Sequence, residues 1–452
     1  MEVSNQFIFI NELPFANLTN YQIESLFQST RHEIMTRLEE SALLNYLKNK
    51  SSHNLNHSPN DIACNYYTED EFNLRTKSIH GSLSIFHMNI RKLGKHRGAL
   101  VAYLSCLNMK FDVIILTEVG KDSGCYIDNI FKNYKTVYDL PQINNYGGVA
   151  ILVKNTLSPI ERTDIKLDKS CDCTKCQIEN TWMELKYQKK TVIIGGIYRH
   201  PGGNISHYNT TLEKTLPKIK KDDISIIGGD ININLISKES KHDDYITTMN
   251  SHNYLPYITR PTRITSHSAT LIDHLFMRVS SKDIEKTILS GNLFCDITDH
   301  LPNFLILPWG TVRKNIIERR KTRIYSEKNT LNFMNSIYDV DWNVELHKYD
   351  NANDMCSFLL SRLNKSYQES FPLVTVSRQR EKDKPWITPS LRKAIQKKNR
   401  LYSKKIKHPT PENENKHREF KQSVTKMMNV AQSKYFQEIY DNKKTIHQSS
   451  LG

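Results

Sequence analysis

The sequence predicts an α/β or α+β protein, and three observations lead there. Between Leu83 and Leu307, short β-rich runs recur between turn-forming residues. Two stretches with helical spacing, Arg97 to Leu107 and Tyr208 to Ile219, interrupt those runs. Past Trp309 the strand pattern stops and helical periodicity takes over.

Taken in order, residues 12 to 47 carry a helical stripe of Leu38, Leu43, Leu44 and Leu47, and the polar stretch Ser51 to Asn60 follows as a linker. Residues 1 to 80 are therefore expected to form a helical, polar leader. The expected strands are Leu83 to Met88, Val113 to Leu116, Val149 to Val153, Thr181 to Leu185, Val192 to Ile197, Ile224 to Ile227, Leu275 to Met277 and Phe304 to Leu307. They define a strand-rich region over 81 to 309. Helices are expected at Asn329 to Tyr338, Ala352 to Ser370, Pro389 to Lys405 and Phe420 to Tyr440, making 310 to 452 a basic, mostly helical connector.

Charge divides the chain of 452 residues unevenly: 1 to 309 hold 34 Lys and Arg against 33 Asp and Glu, while 310 to 452 hold 29 against 15. A nearly neutral front and a basic rear make the rear the candidate polyanion binder, acting by counterion release rather than by reading sequence. Eight cysteines in so long a chain do not form a disulfide framework. Cys171, Cys173 and Cys176 lie close enough together to consider zinc, but Cys-x-Cys is too tight for the usual pair and no fourth ligand is near, so a loop with reduced thiols is expected. No apolar run approaches the roughly 18 residues of a membrane span, and the first residues lack a basic leader region. The expected location is intracellular, nuclear or cytoplasmic, with no membrane partner.

Five segments end a hydrophobic run on polar side chains: His87-Met88-Asn89-Ile90-Arg91, Leu116-Thr117-Glu118-Val119, Gly228-Gly229-Asp230-Ile231-Asn232, Leu271-Ile272-Asp273-His274-Leu275-Phe276 and Thr298-Asp299-His300. Phosphodiester hydrolysis needs a cation to neutralise the phosphate, a base for water and a polarised group beside the phosphorus. Asn, Glu, Asp-x-Asn, Asp and Asp-His supply that inventory. Asp230 and Asn232 alternate at one strand end and so point to the same side.

The order of these blocks resembles the endonuclease/exonuclease/phosphatase superfamily, most closely the endonuclease domain of non-LTR (LINE-type) retrotransposons, from about Ser82 to Pro308. Lys384-Pro385-Trp386-Ile387-Thr388 and the basic helix after it look like the connector that precedes the reverse transcriptase in such elements, although no aromatic-x-Asp-Asp polymerase signature occurs. The resemblance implies a four-layer sandwich of two mixed β-sheets flanked by helices. It implies Mg²⁺, or Mn²⁺, held by Glu118 and Asn89 with Asp299 on the metal side. Asp230 becomes the base, Asn232 the group holding the nucleophile, and His300 the imidazole oriented by Asp273. Tyr198 matches a phosphate-contacting tyrosine, and Arg260, Arg263 and Ser268 fall in a segment resembling a DNA-contacting loop. Arg91 stands where the repair branch of the superfamily has an acidic residue.

The implied activity is nicking of one DNA strand, leaving a 3′-hydroxyl and a 5′-phosphate. The implied partners are DNA, RNA through the basic rear, and a reverse transcriptase acting in trans. Two alternatives share these residues: a phosphatase or phosphodiesterase acting on a small or lipid phosphate, and a nucleic-acid-binding element fragment without catalysis. His200, His242, His267 and His274 are expected to be ordinary surface histidines.

Overall fold

A computed structural model describes residues 64–308, 321–375 and 386–449, apart from 128–129, 132, 143–144, 169–177, 188–189, 222, 238–239, 266–267 and 279–287. The expected helix within 12 to 47, the three-cysteine cluster and His267 lie outside the described residues.

The chain divides into two compact units, one comprising 1–312 with 387–452 and the other 313–386. The first unit opens with β1 (Cys64–Tyr67) and α1 (Glu69–Thr76), then β2 (Ser82–Asn89), α2 (Leu93–Leu104), β3 (Val113–Thr117), β4 (Tyr134–Asp139) and β5 (Val149–Lys154). Next come β6 (Ile160–Glu161), β7 (Ile178–Tyr187), β8 (Lys190–Arg199), α3 (Ile205–Thr215), β9 (Ile224–Asp230) and α4 (Ser240–Ser251). The short strands β10 (Leu255–Pro256), β11 (Arg263–Ile264) and β12 (Ala269–Thr270) precede β13 (Asp273–Arg278), β14 (Leu289–Leu293) and β15 (Asn303–Pro308).

Two large mixed sheets result, in the orders β1-β14-β15-β2-β3-β5-β4 and β10-β13-β9-β8-β7-β6. Parallel pairs (β1 with β14, β2 with β3, β8 with β9) sit among antiparallel ones. The sheets stack through their apolar faces: Leu83 and Ile85 of β2, Val113 and Ile115 of β3, and Val149 and Ile151 of β5 share one core with Ile194, Ile226 and Leu275 of the second sheet. Glycine sets how closely they meet. An added Cβ on Gly228 would lie 2.9 Å from Ile115, and one on Gly196 would lie 2.9 Å from Ile151. Period-two alternation then decides what stands at the strand ends between the sheets. Following Leu83 and Ile85 by twos reaches His87 and Asn89; following Ile226 and Gly228 reaches Asp230.

The first sheet's outer face carries Phe86 and Phe304, which pack with Phe72 of α1 and with Phe111 at ring separations of 4.9 to 5.8 Å. That packing, and the pairing of β1 with β14, draw residues 64 to 76 into the first sheet's layers, so the division expected at residue 80 falls inside the fold. Thr68 caps α1 with a full capping box, and Thr76 Oγ1 donates to the Phe72 carbonyl.

The rear of the chain also divides. The second unit holds β16 (Lys321–Arg323), α5 (Glu327–Tyr338), α6 (Trp342–Leu346), α7 (Ala352–Ser370) and β17 (Leu373–Thr375). The two strands pair antiparallel, and Tyr325, Phe333, Tyr367 and Phe371 form its aromatic centre.

Helices α8 (Pro389–Lys407) and α9 (Pro411–Ser449) belong instead to the first unit. Thr388 caps α8 ahead of Pro389. The α8 stripe of Leu391, Ile395, Tyr402 and Ile406 is buried. Asn399 Nδ2 donates to buried Glu69, Arg400 pairs with Asp70 at 2.7 Å, and the Lys398 ammonium donates to the Asp296 carbonyl at 3.1 Å. From α9, His417 meets Asp296 at 2.8 Å and Lys421 meets it at 2.9 Å. The expected single connector over 310 to 452 thus has its last part built onto the sheets. Among the described residues no helix is long and apolar enough to cross a membrane.

Candidate active site

Strand register assembles the site. Asp230 lies opposite Asp273 across the β9–β13 pair and opposite Tyr198 across the β8–β9 pair, while Asn89 lies opposite Thr117, the residue before Glu118. Gly229 lets β8 and β9 run together here, since an added Cβ would fall 1.7 Å from the Ile197 carbonyl oxygen.

Asn89 joins the two sheets. Its Nδ2 donates to Glu118 Oε1 at 2.9 Å and to Asp230 Oδ2 at 2.8 Å, while its Oδ1 accepts from the Arg91 backbone N–H at 3.1 Å. Glu118 adopts a left-handed backbone (φ 51°), as do Arg91 (46°) and Lys92 (77°). Such conformations cost a non-glycine residue about 1–3 kcal/mol unless the surroundings fix them. Here the two turns hold each other: Lys92 N–H donates to the Glu118 carbonyl at 2.7 Å and Leu93 N–H to the Val119 carbonyl at 2.9 Å.

Asp230 is fully buried. Burial, with the Asp273 and Glu118 carboxylates nearby, pushes its pKa up to about 8 against the opposing pull of His300. Its Oδ1 accepts from the Asn232 backbone N–H at 3.2 Å. Asn232 is left-handed too (φ 52°), and its Nδ2 donates to the Arg199 carbonyl at 2.9 Å. Arg199 is what secures this turn, since its guanidinium donates to the carbonyls of Ile231, Asn232 and Gly203 at 2.7, 2.8 and 2.6 Å.

On the other side, His300 Nδ1 lies 2.8 Å from Asp273 Oδ2, which also accepts from Thr262 Oγ1 at 2.6 Å. Burial alone would depress the imidazole, but the charges of Asp273, Asp230 and Asp299 push it up to about 9. Burial would likewise raise Asp273, yet His300 holds that carboxyl below its usual range. Asp230, Asp273 and His300 each offer a ligand atom within 4.8 Å of the others. Within this trio His300 and Asp273 form a hydrogen-bonded ion pair. Thr298 fixes the His300 turn by donating to the Asn89 carbonyl at 3.0 Å.

The Tyr198 ring is buried, and burial with the Glu118, Asp230 and Glu179 charges raises its hydroxyl well above the usual phenol range, so it remains a donor. Asp299 is placed differently from its expected metal-side role. Its oxygens meet Arg91 and Arg263, each at 2.8 Å, and although burial works the other way these partners keep it ionised. Arg260 donates to the Cys64 carbonyl at 2.7 Å and lies over the Tyr66 ring, which commits it to anchoring β1. Arg263 stands on the site's rim; Ser268 closes a tight turn with Thr265 at 3.0 Å.

Among the four histidines expected at the surface, His274 is buried beside Tyr245 and donates toward the Ile233 and Leu271 carbonyls, its pKa driven down to about 4 by burial. His242 is buried as well, and His200 is partly exposed. Sequence reading assigned no role to Arg199, Thr262 or His87. His87 is buried on the same strand face as Asn89, and burial lowers it to about 4. Only its two-residue offset from Asn89 could have placed it; Thr262 lies in a loop with no periodic signal.

No protein-family model matches the sequence, and no curated protein matches it. Solved structures similar to the chain include the endonuclease domain of TRAS1, a telomere-specific non-LTR retrotransposon, 14% identical over 51% of this chain and 100% of that one, with a TM-score of 0.39. Truncated TDP2 from Caenorhabditis elegans is 15% identical over 51% and 98%, with a TM-score of 0.37. The AP endonuclease LMAP from Leishmania major is 11% identical over 56% and 94%, with a TM-score of 0.40.

Proposed function

We propose that the chain is a divalent-metal-dependent phosphodiesterase that nicks DNA. One observation carries this reading: Asn89, Glu118 and Asp230 form a hydrogen-bonded carboxylate–amide cluster directly beside the Asp273–His300 pair.

The residues fit a hard divalent cation. Two carboxylates are brought together on one amide, one of them buried and raised to about 8, and Glu118 has no ion-pair partner among the described residues. Glu118 and Asn89 would hold Mg²⁺ or Mn²⁺ there, and the cation would supply charge neutralisation at a phosphate oxygen. Asp299 carries its own two arginines, and we assign it the role of holding Arg91 and Arg263 at the rim.

Once its charge is balanced, Asp230 is a carboxylate placed to accept a proton from water. Asn232, fixed through one amide N–H to the Arg199 carbonyl, keeps its second N–H for the nucleophile or a phosphoryl oxygen. Protonated His300, engaged at Nδ1 by Asp273, presents its other N–H to the phosphate, and the Tyr198 hydroxyl donates beside it. The water oxygen bonds to phosphorus, the bond from phosphorus to the 3′-oxygen breaks, and that oxygen takes a proton. The products are a 3′-hydroxyl and a 5′-phosphate.

Removing one acid or base group slows such reactions by about 10²- to 10⁴-fold. Asp230→Ala and His300→Ala should therefore lose detectable nicking of supercoiled plasmid while binding DNA nearly as well as the parent. Unaltered cleavage in either variant rejects the assignment, and phosphate release from inositol phosphates without nicking would move the substrate to small phosphates.

A further inference from the structure

A cleft of about 1490 Å³ runs from the catalytic cluster to the last two helices. Glu118 and Tyr198 of the catalytic cluster line it, as does the Asp296–Asp299 turn. One wall is the segment after β2, with Arg91, Lys92 and Lys95; the other is α8 and α9, with Tyr402, Lys405 and Lys421. Gly98 on α2 allows close packing there, since an added Cβ would meet the Gln432 side chain of α9 at 2.3 Å.

The charges along this cleft are largely positive once the internal pairs are set aside. Asp296 is answered by His417 and Lys421, and Asp299 by Arg91 and Arg263. Away from the catalytic cluster this leaves Glu414 against Lys92, Lys95 and Lys405. Lys92 and Lys95 are exposed and Lys405 is half-buried, and none has an ion-pair partner among the described residues.

We infer that α8 and α9 form one wall of the substrate groove itself, with Lys405 facing Lys92 and Lys95 across a bound DNA duplex that extends beyond the scissile phosphate. The nuclease reading supplies the identity of the occupant; the groove, its opposed cations and its opening onto the catalytic cluster supply the place. A polyanion is the ligand that such a wall attracts, and phosphate contacts of this kind position a duplex without reading its bases.

The test is binding of a fluorescein-labelled DNA duplex to the full chain in chelator, measured across salt concentrations. Lys95→Glu combined with Lys405→Glu should weaken binding about tenfold or more at low salt, and should reduce the slope of log affinity on log salt by about 2, since each lost phosphate contact removes about 0.9. Lys186→Glu combined with Lys190→Glu makes the same charge change at the far ends of β7 and β8, and should leave the slope near the parent's. An unchanged slope in the first pair, or an equal fall in both, overturns the inference. An unshifted melting temperature in both pairs separates a lost contact from a lost fold. Because chelator removes catalysis from the measurement, a chain that shows this binding pattern but never nicks DNA would overturn the hydrolase reading and leave the groove assignment standing.

Discussion

In the Asp273 half of the pocket a buried carboxylate faces a protonated imidazole at 2.8 Å and accepts a hydroxyl hydrogen bond from Thr262. In the Asp230 half an equally buried carboxylate takes its hydrogen bonds from neutral amides, Asn89 Nδ2 and the Asn232 N–H, with the Glu118 carboxylate sharing the first of these. The imidazolium hydrogen-bonds one carboxylate directly and acts on the other only as a nearby charge, too weakly to offset its burial. Burial in a medium of low dielectric constant makes that difference expensive, and it is the basis for proposing an ion at the second half and an acid at the first.

Stability should separate the halves most sharply. Asp273→Ala strips His300 of its partner inside the protein, and breaking a buried pair in this way costs about 3–5 kcal/mol. Asp230→Asn should instead stabilise the metal-free protein. A carboxyl raised from 3.8 to about 8 on folding contributes stability that is complete below its unfolded value and is lost as pH climbs through about 8. Melting of the metal-free parent should therefore fall relative to Asp230→Asn between pH 5 and 8. Parallel melting curves for the two proteins would break the comparison.

A smaller effect concerns the ion. If the cation displaces the proton that Asp230 keeps to about pH 8, metal binding tightens as pH rises toward that value, by up to about tenfold per pH unit, and then levels off. Calorimetric titration of Mg²⁺ or Mn²⁺ at several pH values measures it directly, and a pH-independent affinity would place the cation elsewhere.

Much of this site was legible because chemistry and periodicity coincide. Asn89, Asp230 and Asp273 each end or begin a strand on its inner face, and a run of alternating apolar residues marks such a strand plainly. Elements that lack that contrast stayed hidden. β14 reads Leu-Ser-Gly-Asn-Leu, and its buried Asn292 donates through Nδ2 to the Arg260 and Pro261 carbonyls. α4 buries Tyr245, Ile246, Thr248 and Met249 within an otherwise polar sequence.

The last two helices show a different limit. Their basic composition marked a connector and a candidate polyanion binder without saying what they pack on, whereas in the fold a buried acid, Asp296, collects Lys398, His417 and Lys421. Asp299 and Arg260 show a related limit: motif position named their residue type, but the partners they meet in the fold, Arg91 with Arg263 and the Cys64 carbonyl, could not be read from it.

The most direct test of the metal-dependent hydrolase is conversion of supercoiled plasmid to open circles by the full chain with Mg²⁺ and with chelator. The account predicts open circles with 3′-hydroxyl ends in Mg²⁺ alone. Equal nicking in chelator, or none with either Mg²⁺ or Mn²⁺, would contradict it.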